Sequence, residues 1–407
     1  MSCSPRLSLS WAGRTVRSCT RIGIVGSLAV VLAVSPSARV AAATTGWSVV
    51  PSPNVEPAAA DDYLSGVSCI SAAWCMASGY YVNAQLGYSA FFEHGDGRNW
   101  SVAQNPRSGT PSSDVLVNGV SCTSPLSCMS VGTSGDGGLA EQWDGTRWSV
   151  APVPIGDDVL YGVSCVSAET CVAVGYRSGK GENARSLIEL WDGAKWSVMA
   201  SPNPGQASEY ASASGLAHAL LLSVSCPSLG SCVAVGSYIT PTGRGDTLAE
   251  QWDGTTWSIM PTPDKPSIST GLDAVSCATP QFCMAVGNFQ AVGYDTLAES
   301  WDGGHWSIVA SPDGGPTGFD DELFGVSCPS ATSCAAVGND GVNPAAASGK
   351  TLVESWDGSA WSAVTSSNEG FSGLSAVSCL PLGRCTAVGA HSSGRNGGTL
   401  VEASQQP

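Results

Sequence analysis

From about residue 44 onward the chain alternates apolar runs of five to eight residues with clusters of Gly, Pro, Ser and Asp, and no stretch sustains a helical apolar period. One unit shows the arrangement clearly: GVSCVSAETCVAVG at 162–175, SLIELWDG at 186–193 and AKWSVM at 194–199. It predicts four short strands. Strand A ends in V-S-C, strand B begins at the second Cys and runs through A-V-G, strand C is the L-x-E-x-W segment, and strand D is W-S-V or W-S-I. The Asp-Gly dipeptide between C and D is a hairpin signal. Runs such as V-A-V-G are apolar at successive positions, as strands covered on both faces are.

The unit recurs, and the cysteines count it. Two of the sixteen, Cys3 and Cys19, fall in the first 43 residues. The other fourteen form pairs with five residues between: Cys69/Cys75, Cys122/Cys128, Cys165/Cys171, Cys226/Cys232, Cys277/Cys283, Cys328/Cys334 and Cys379/Cys385. Successive pairs are 53, 43, 61, 51, 51 and 51 residues apart, a period that suits propeller blades. The fold expected is all-β: a seven-bladed β-propeller with four antiparallel strands per blade. Each Cys pair then lies across an A–B hairpin, where facing residues are about 4.5–5.5 Å apart and within disulfide reach. Neither a redox C-x-x-C nor a zinc-ligand spacing is present.

Ring closure is legible too. The seventh unit stops at TLVEASQQP, after strand C, while GWSVVPSP at 46–53 matches the strand D sequence KWSVMASP at 195–202. An open ring would expose a sheet edge. Trp47 to Val50 is therefore expected to be the outer strand of blade seven, paired with Leu400 to Ala403, within a single domain spanning 44–407.

Five units carry tryptophans on both sides of the C–D turn: Trp143/Trp148, Trp191/Trp196, Trp252/Trp257, Trp301/Trp306 and Trp356/Trp361, and blade one sets Gly95 opposite Trp100. Two uses are open to them, cross-strand packing or stacking platforms for sugars. Every strand C also has a glutamate (Glu93, Glu141, Glu189, Glu250, Glu299, Glu354, Glu402), which its repetition marks as a blade-bracing hydrogen-bond acceptor rather than a catalytic base. The succession A-V-G, a variable loop, L-x-E-x-W-D-G-x-x-W-S and a proline resembles a kelch-type blade over nearly all of 44–407. Kelch blades generally have a double glycine where this chain has one, as at Gly175 or Gly287. D-G-x-x-W also departs from the D-x-G-x-x-W spacing of sialidase-like Asp-boxes.

Residues 1–43 hold five arginines and no acid, an apolar run from Ile22 to Val34, and Ala41-Ala42-Ala43. That is the pattern of a secretory signal peptide, and its apolar run is shorter than the roughly 20 residues a bilayer span needs. A secreted, extracellular monomer is expected. Without the leader the charge is 12 basic minus 33 acidic residues, or −21, which argues against nucleic acid and anionic membrane as partners.

Propellers include enzymes, so residues must decide. The four histidines, His94, His218, His305 and His391, share no metal-ligand spacing, and the serines of the V-S-C segments have no partnered histidine or nucleophile elbow. No catalytic residue is assigned. The expected function is a binding or scaffolding module, with a lectin-like propeller as the alternative and a propeller hydrolase or lyase behind it. Its partner is a protein or glycan of the cell surface or medium. The working face follows from connectivity: the D–A and B–C loops emerge at one end and differ between blades, while the other end repeats disulfide and Asp-Gly turns. The D–A connections hold 14 acids and 2 bases. Three place an aspartate pair just ahead of strand A, the innermost strand: Asp61-Asp62, Asp157-Asp158 and Asp320-Asp321. A solvated rim and a basic-partner or cation site, with Ca²⁺ the fitting ion for clustered carboxylates, are the two readings of these pairs. No other cofactor is expected.

Overall fold

In the computed structural model of the chain, each of the seven repeats is a four-stranded antiparallel sheet in A-B-C-D order. Blade three is built from Asp157–Ser167, Thr170–Ser178, Arg185–Trp191 and Trp196–Met199. The described residues run from 46 to 404, apart from 56–61, 84–86, 104, 106–113, 155, 179–183, 205–218, 264, 266, 313–319, 344–347, 367–370, 382 and 394–395. The expected leader lies outside them. In six blades strand A runs two residues beyond its cysteine and strand B starts one residue before its own, so both are longer than the sequence pattern marks. Ser167 pairs with Thr170 in blade three, which leaves only Ala168 and Glu169 in the turn.

All seven expected disulfides are present: Cys69–Cys75, Cys122–Cys128, Cys165–Cys171, Cys226–Cys232, Cys277–Cys283, Cys328–Cys334 and Cys379–Cys385. Their Cα atoms are 3.9–4.1 Å apart. That is closer than the spacing expected from strand pairing alone, because each bridge ties the two strands together at the mouth of a tight turn. The C–D turn explains its own sequence. Asp253 Oδ1 accepts the backbone N–H groups of Thr255 and Thr256, while Gly254 takes a φ of 95°, a left-handed value that glycine adopts without strain. The A-V-G glycine has a different cause. A Cβ on Gly175 would stand 1.8 Å from the Val159 carbonyl oxygen of strand A.

The core lies between blades rather than within them. Seven apolar slabs fill the seven interfaces, as where Met76, Ala90 and Phe92 of blade one meet Val117, Leu139 and Trp148 of blade two. Phe92 and Trp148 stack at 3.9 Å between ring centres. Such an arrangement needs every blade to have two neighbours, so the ring must close.

It closes as the sequence requires, one residue out of the expected register. Trp47–Val50 is the outer strand of blade seven and pairs with Val401–Ser404, Trp47 facing Ser404. The strand belongs to two slabs at once. Trp47 packs between blades six and seven, and Val50 between seven and one. Hydrogen bonds extend the clasp: Trp47 N–H donates to Thr365 of blade six at 3.0 Å, and the Ser52 hydroxyl donates to Glu93 of blade one at 2.7 Å.

Candidate functional site at the axis and loop face

Every strand A carries the same irregularity. Its register against strand B slips by one residue at Leu64/Gly66, Val117/Gly119, Leu160/Gly162, Leu221/Ser223, Leu272/Ala274, Leu323/Gly325 and Leu374/Ala376. A bulge of this kind leaves one residue unpaired and re-aims it. Here the bulged residues are Ser65, Asn118, Tyr161, Leu222, Asp273, Phe324 and Ser375, and all seven line a cavity of about 340 Å³ on the ring axis. The residue after each bulge is Gly, Ser or Ala, which lets neighbouring strands approach closely: the Cα of Ser223 lies 3.0 Å from where a Cβ on Gly162 would be.

The bulged residues are the part of strand A that does not repeat. Ser65 and Asn118 reach sideways to carbonyls of the next blade, Val117 and Leu160. Asp273 is the one charged side chain among the cavity-lining residues. Its Oδ2 accepts from Asn288 Nδ2 at 3.0 Å. Burial first, and then the negative charge of Glu322, push its carboxyl up to about 7 against that hydrogen bond.

The described aspartates of the pairs sit inside strand A rather than ahead of it, on blades one, three and six, none of which adjoin. Asp61 lies outside the described residues. Asp62 is buried and accepts the Val55 N–H at 2.9 Å. Asp158 is 2% exposed and holds Arg177 through both oxygens at 2.6 and 2.7 Å. Asp321 is buried and accepts the Gly341 N–H. Asp320 is half-buried and takes the Tyr294 N–H at 3.0 Å, while Asp157 is exposed. Asp62, Asp158, Asp320 and Asp321 thus brace strand A and its neighbouring segments, and no group of three or more His, Cys, Asp or Glu among the described residues is placed to hold a metal.

The sevenfold features are structural. The bridged cysteines are apart from the candidate site: none of the fourteen lines the axial cavity. The strand B partner of each bridge, Cys75, Cys128, Cys171, Cys232, Cys283, Cys334 and Cys385, is buried in an apolar slab between blades. These sulfurs therefore both staple the hairpin and fill the core. Each V-S-C serine accepts the cysteine N–H of the following blade: Ser68 from Cys122, Ser121 from Cys165, Ser164 from Cys226, Ser225 from Cys277, Ser276 from Cys328, Ser327 from Cys379, and Ser378 from Cys69, all at 2.9–3.0 Å. Together they form a closed belt.

The strand C glutamates are a second inter-blade link. Ser201 donates to Glu250, Ser311 to Glu354, Ser366 to Glu402 and Asn105 to Glu141, each from the segment after the previous blade's strand D. In blade three that position is Val153, and neither oxygen of Glu189 finds a hydrogen-bond partner among the described residues. Tryptophans of the paired sets are buried at the interfaces, Trp252 alone being half-buried. His94, His305 and His391 stay apart on blades one, five and seven, and His218 lies outside the described residues.

No family model matches the chain, and no curated protein matches its sequence. Solved structures do match. A structure of YCF48 bound to a D1 peptide superposes with a TM-score of 0.50 at 14% identity, covering 89% of this chain and 97% of that one. The structure of U3-55K gives 0.54 at 10% identity over 88% and 98%, and the WD40 repeats of RRP9 give 0.54 at 10% over 89% and 98%. The likeness is one of fold: a seven-bladed propeller.

Proposed function

We propose that the protein is an exported binding module that presents its B–C and D–A loops to a partner protein. The observation that carries this reading is the division of labour in the blade. Serine belt, glutamate links, tryptophan pairs and disulfides all join strands or blades, and what differs between blades is gathered at the loop end and the axial bulges. Variable loops on a rigid scaffold are where binding residues concentrate. Export is supported by the basic and apolar leader at 1–43 and by seven disulfides, which form in oxidising compartments; no helix among the described residues is long and apolar enough to cross a membrane. Kinship with kelch-type blades rests on the W-D-G-x-x-W pattern. A protein is favoured over a glycan because the tryptophan faces that would stack sugars are packed between blades. That the solved neighbour YCF48 is bound to a D1 peptide supports a polypeptide partner here.

The acidic loop end favours a basic surface on the partner. Capture from culture medium compares three baits: the wild type, a loop-face variant (Asp157→Asn with Asp320→Asn) and a variant of the opposite face (Leu126→Ser with Leu229→Ser). One protein should be retained by the wild type and the second variant and be lost from the first, with recovery falling as salt rises. A protein held equally by all three, or lost only with the leucines, contradicts the proposal.

A further inference from the structure

The axial cavity has a chemistry of its own. Seven bulges deliver seven side chains to one space, and at about 340 Å³ it is of the size that takes small ligands. If the bulges served packing alone, the same side chain would suffice in each blade, as it does for the belt serine. They carry instead two serines, an asparagine, a tyrosine, a leucine, an aspartate and a phenylalanine. The one carboxylate, Asp273, has its Oδ2 engaged by Asn288, while Oδ1 has no hydrogen-bond partner among the described residues. Leu222 and Phe324 stand on the blades to either side of it, and Tyr161 on the blade beyond Leu222. No basic side chain lines the cavity to neutralise the carboxylate.

We propose that this cavity binds an alkylammonium group, its charge paired with Asp273 and its carbon chain lying against Leu222 and Phe324. A hard divalent ion is a poor match, since Ca²⁺ takes six or more oxygen ligands and the flanking residues are apolar. An organic monocation fits on both counts, and aromatic faces such as Phe324 and Tyr161 add cation–π attraction. An anion is opposed by Asp273 and by Glu322 on the next blade, whose charge acts on Asp273. The group can arrive on a free amine or on a lysine side chain. This site is independent of the loop-face partner, and its ligand is tested without that partner.

The charged state of the site sets the conditions. Glu322 is the charged neighbour of Asp273, strand B of its own blade offers neutral Asn288 there, and strand A of blade four, Ala219–Ser228, has no titratable side chain apart from its bridged cysteine. With a carboxyl near 7, measurement at pH 8.5 finds Asp273 ionised.

Calorimetry and ligand-observed NMR on the full disulfide-bonded chain use n-butylammonium as the free-amine probe and N-acetyl-lysine-methylamide as the side-chain probe, with 1-butanol as the uncharged control. At least one cationic probe should bind saturably, with a dissociation constant of about 1 mM or tighter for so small a ligand, and 1-butanol should not. Asp273→Asn, which keeps the size and the Asn288 contact, should weaken binding tenfold or more. Glu169→Gln in the exposed A–B turn of blade three should leave it unchanged. Thermal unfolding of Asp273→Asn establishes that the variant is folded. Absence of saturable binding by both cations, equal binding in folded Asp273→Asn, or binding of 1-butanol as tight as that of the amines overturns the proposal. Binding of the lysine probe alone assigns the source to a polypeptide.

Discussion

At the residue scale, the exception in the glutamate series is the most informative position. Six of the seven strand C glutamates have Ser, Thr or Asn at the fifth residue after the previous blade's strand D tryptophan, five of them with a hydrogen bond from it, and Glu189 has Val153 there. Both of its oxygens are buried without hydrogen-bond partners among the described residues, and burial, with the charge of Asp158 added and that of Arg177 opposed, lifts its carboxyl to about 7. Glu250 is likewise raised to about 7 and Glu93 to about 8, both chiefly by burial. An acid whose carboxyl is raised on folding holds its proton longer in the native state. Its contribution is full below the unfolded value near 4.5 and is lost as pH climbs through the folded one. Stability should therefore decline between about pH 5 and pH 8. Glu189→Gln should unfold at least about 2 °C higher than wild type at pH 8 and gain nothing at pH 5, as read by thermal denaturation at both values; an equal shift at both would show that charge is not the cause. The glutamate series was visible in the sequence as a repeat of acceptors. Its donors were not, because each comes from the preceding blade and the pairing exists only once blades stack.

At the scale of elements, the strands and their order follow from the repeat, since Asp-Gly turns, A-V-G glycines and cysteine spacing each have a local geometric cause. The strand A bulge was legible only in outline. Its signal was a small residue three before each first cysteine with a variable one ahead of it, but a bulge is a register shift against strand B, which a single strand's sequence does not specify. Local patterning likewise placed the closing strand within one residue, the last step being set by Trp47 entering the slab between blades six and seven. That strand, though only four residues long, takes part in two of the seven slabs. Removing residues 44–52 should thus cost more than an exposed edge strand normally would. We expect a melting temperature lowered by about 5 °C or more, or loss of the monomeric species, in differential scanning calorimetry with size-exclusion chromatography. A truncated chain that is monomeric and unfolds at the wild-type temperature would contradict the clasp.

At the scale of the molecule, seven inter-blade slabs and one serine belt form a rigid ring, and seven local disulfides staple the hairpins within its blades, each bridge contributing roughly 2 kcal/mol on the chain-entropy view. Rigidity of this kind lowers the ordering cost of presenting loops to a partner. It also predicts where a partner must sit, because the disulfide and Asp-Gly turns at the other end differ little from blade to blade. Hydrogen exchange read by mass spectrometry, with and without the captured partner, tests this most directly. Protection should be confined to the loop end, in the B–C and D–A connections and the first residues of strand A, with the A–B and C–D turns unchanged. A footprint on those turns, or along the outer strands at the rim of the ring, would contradict the account.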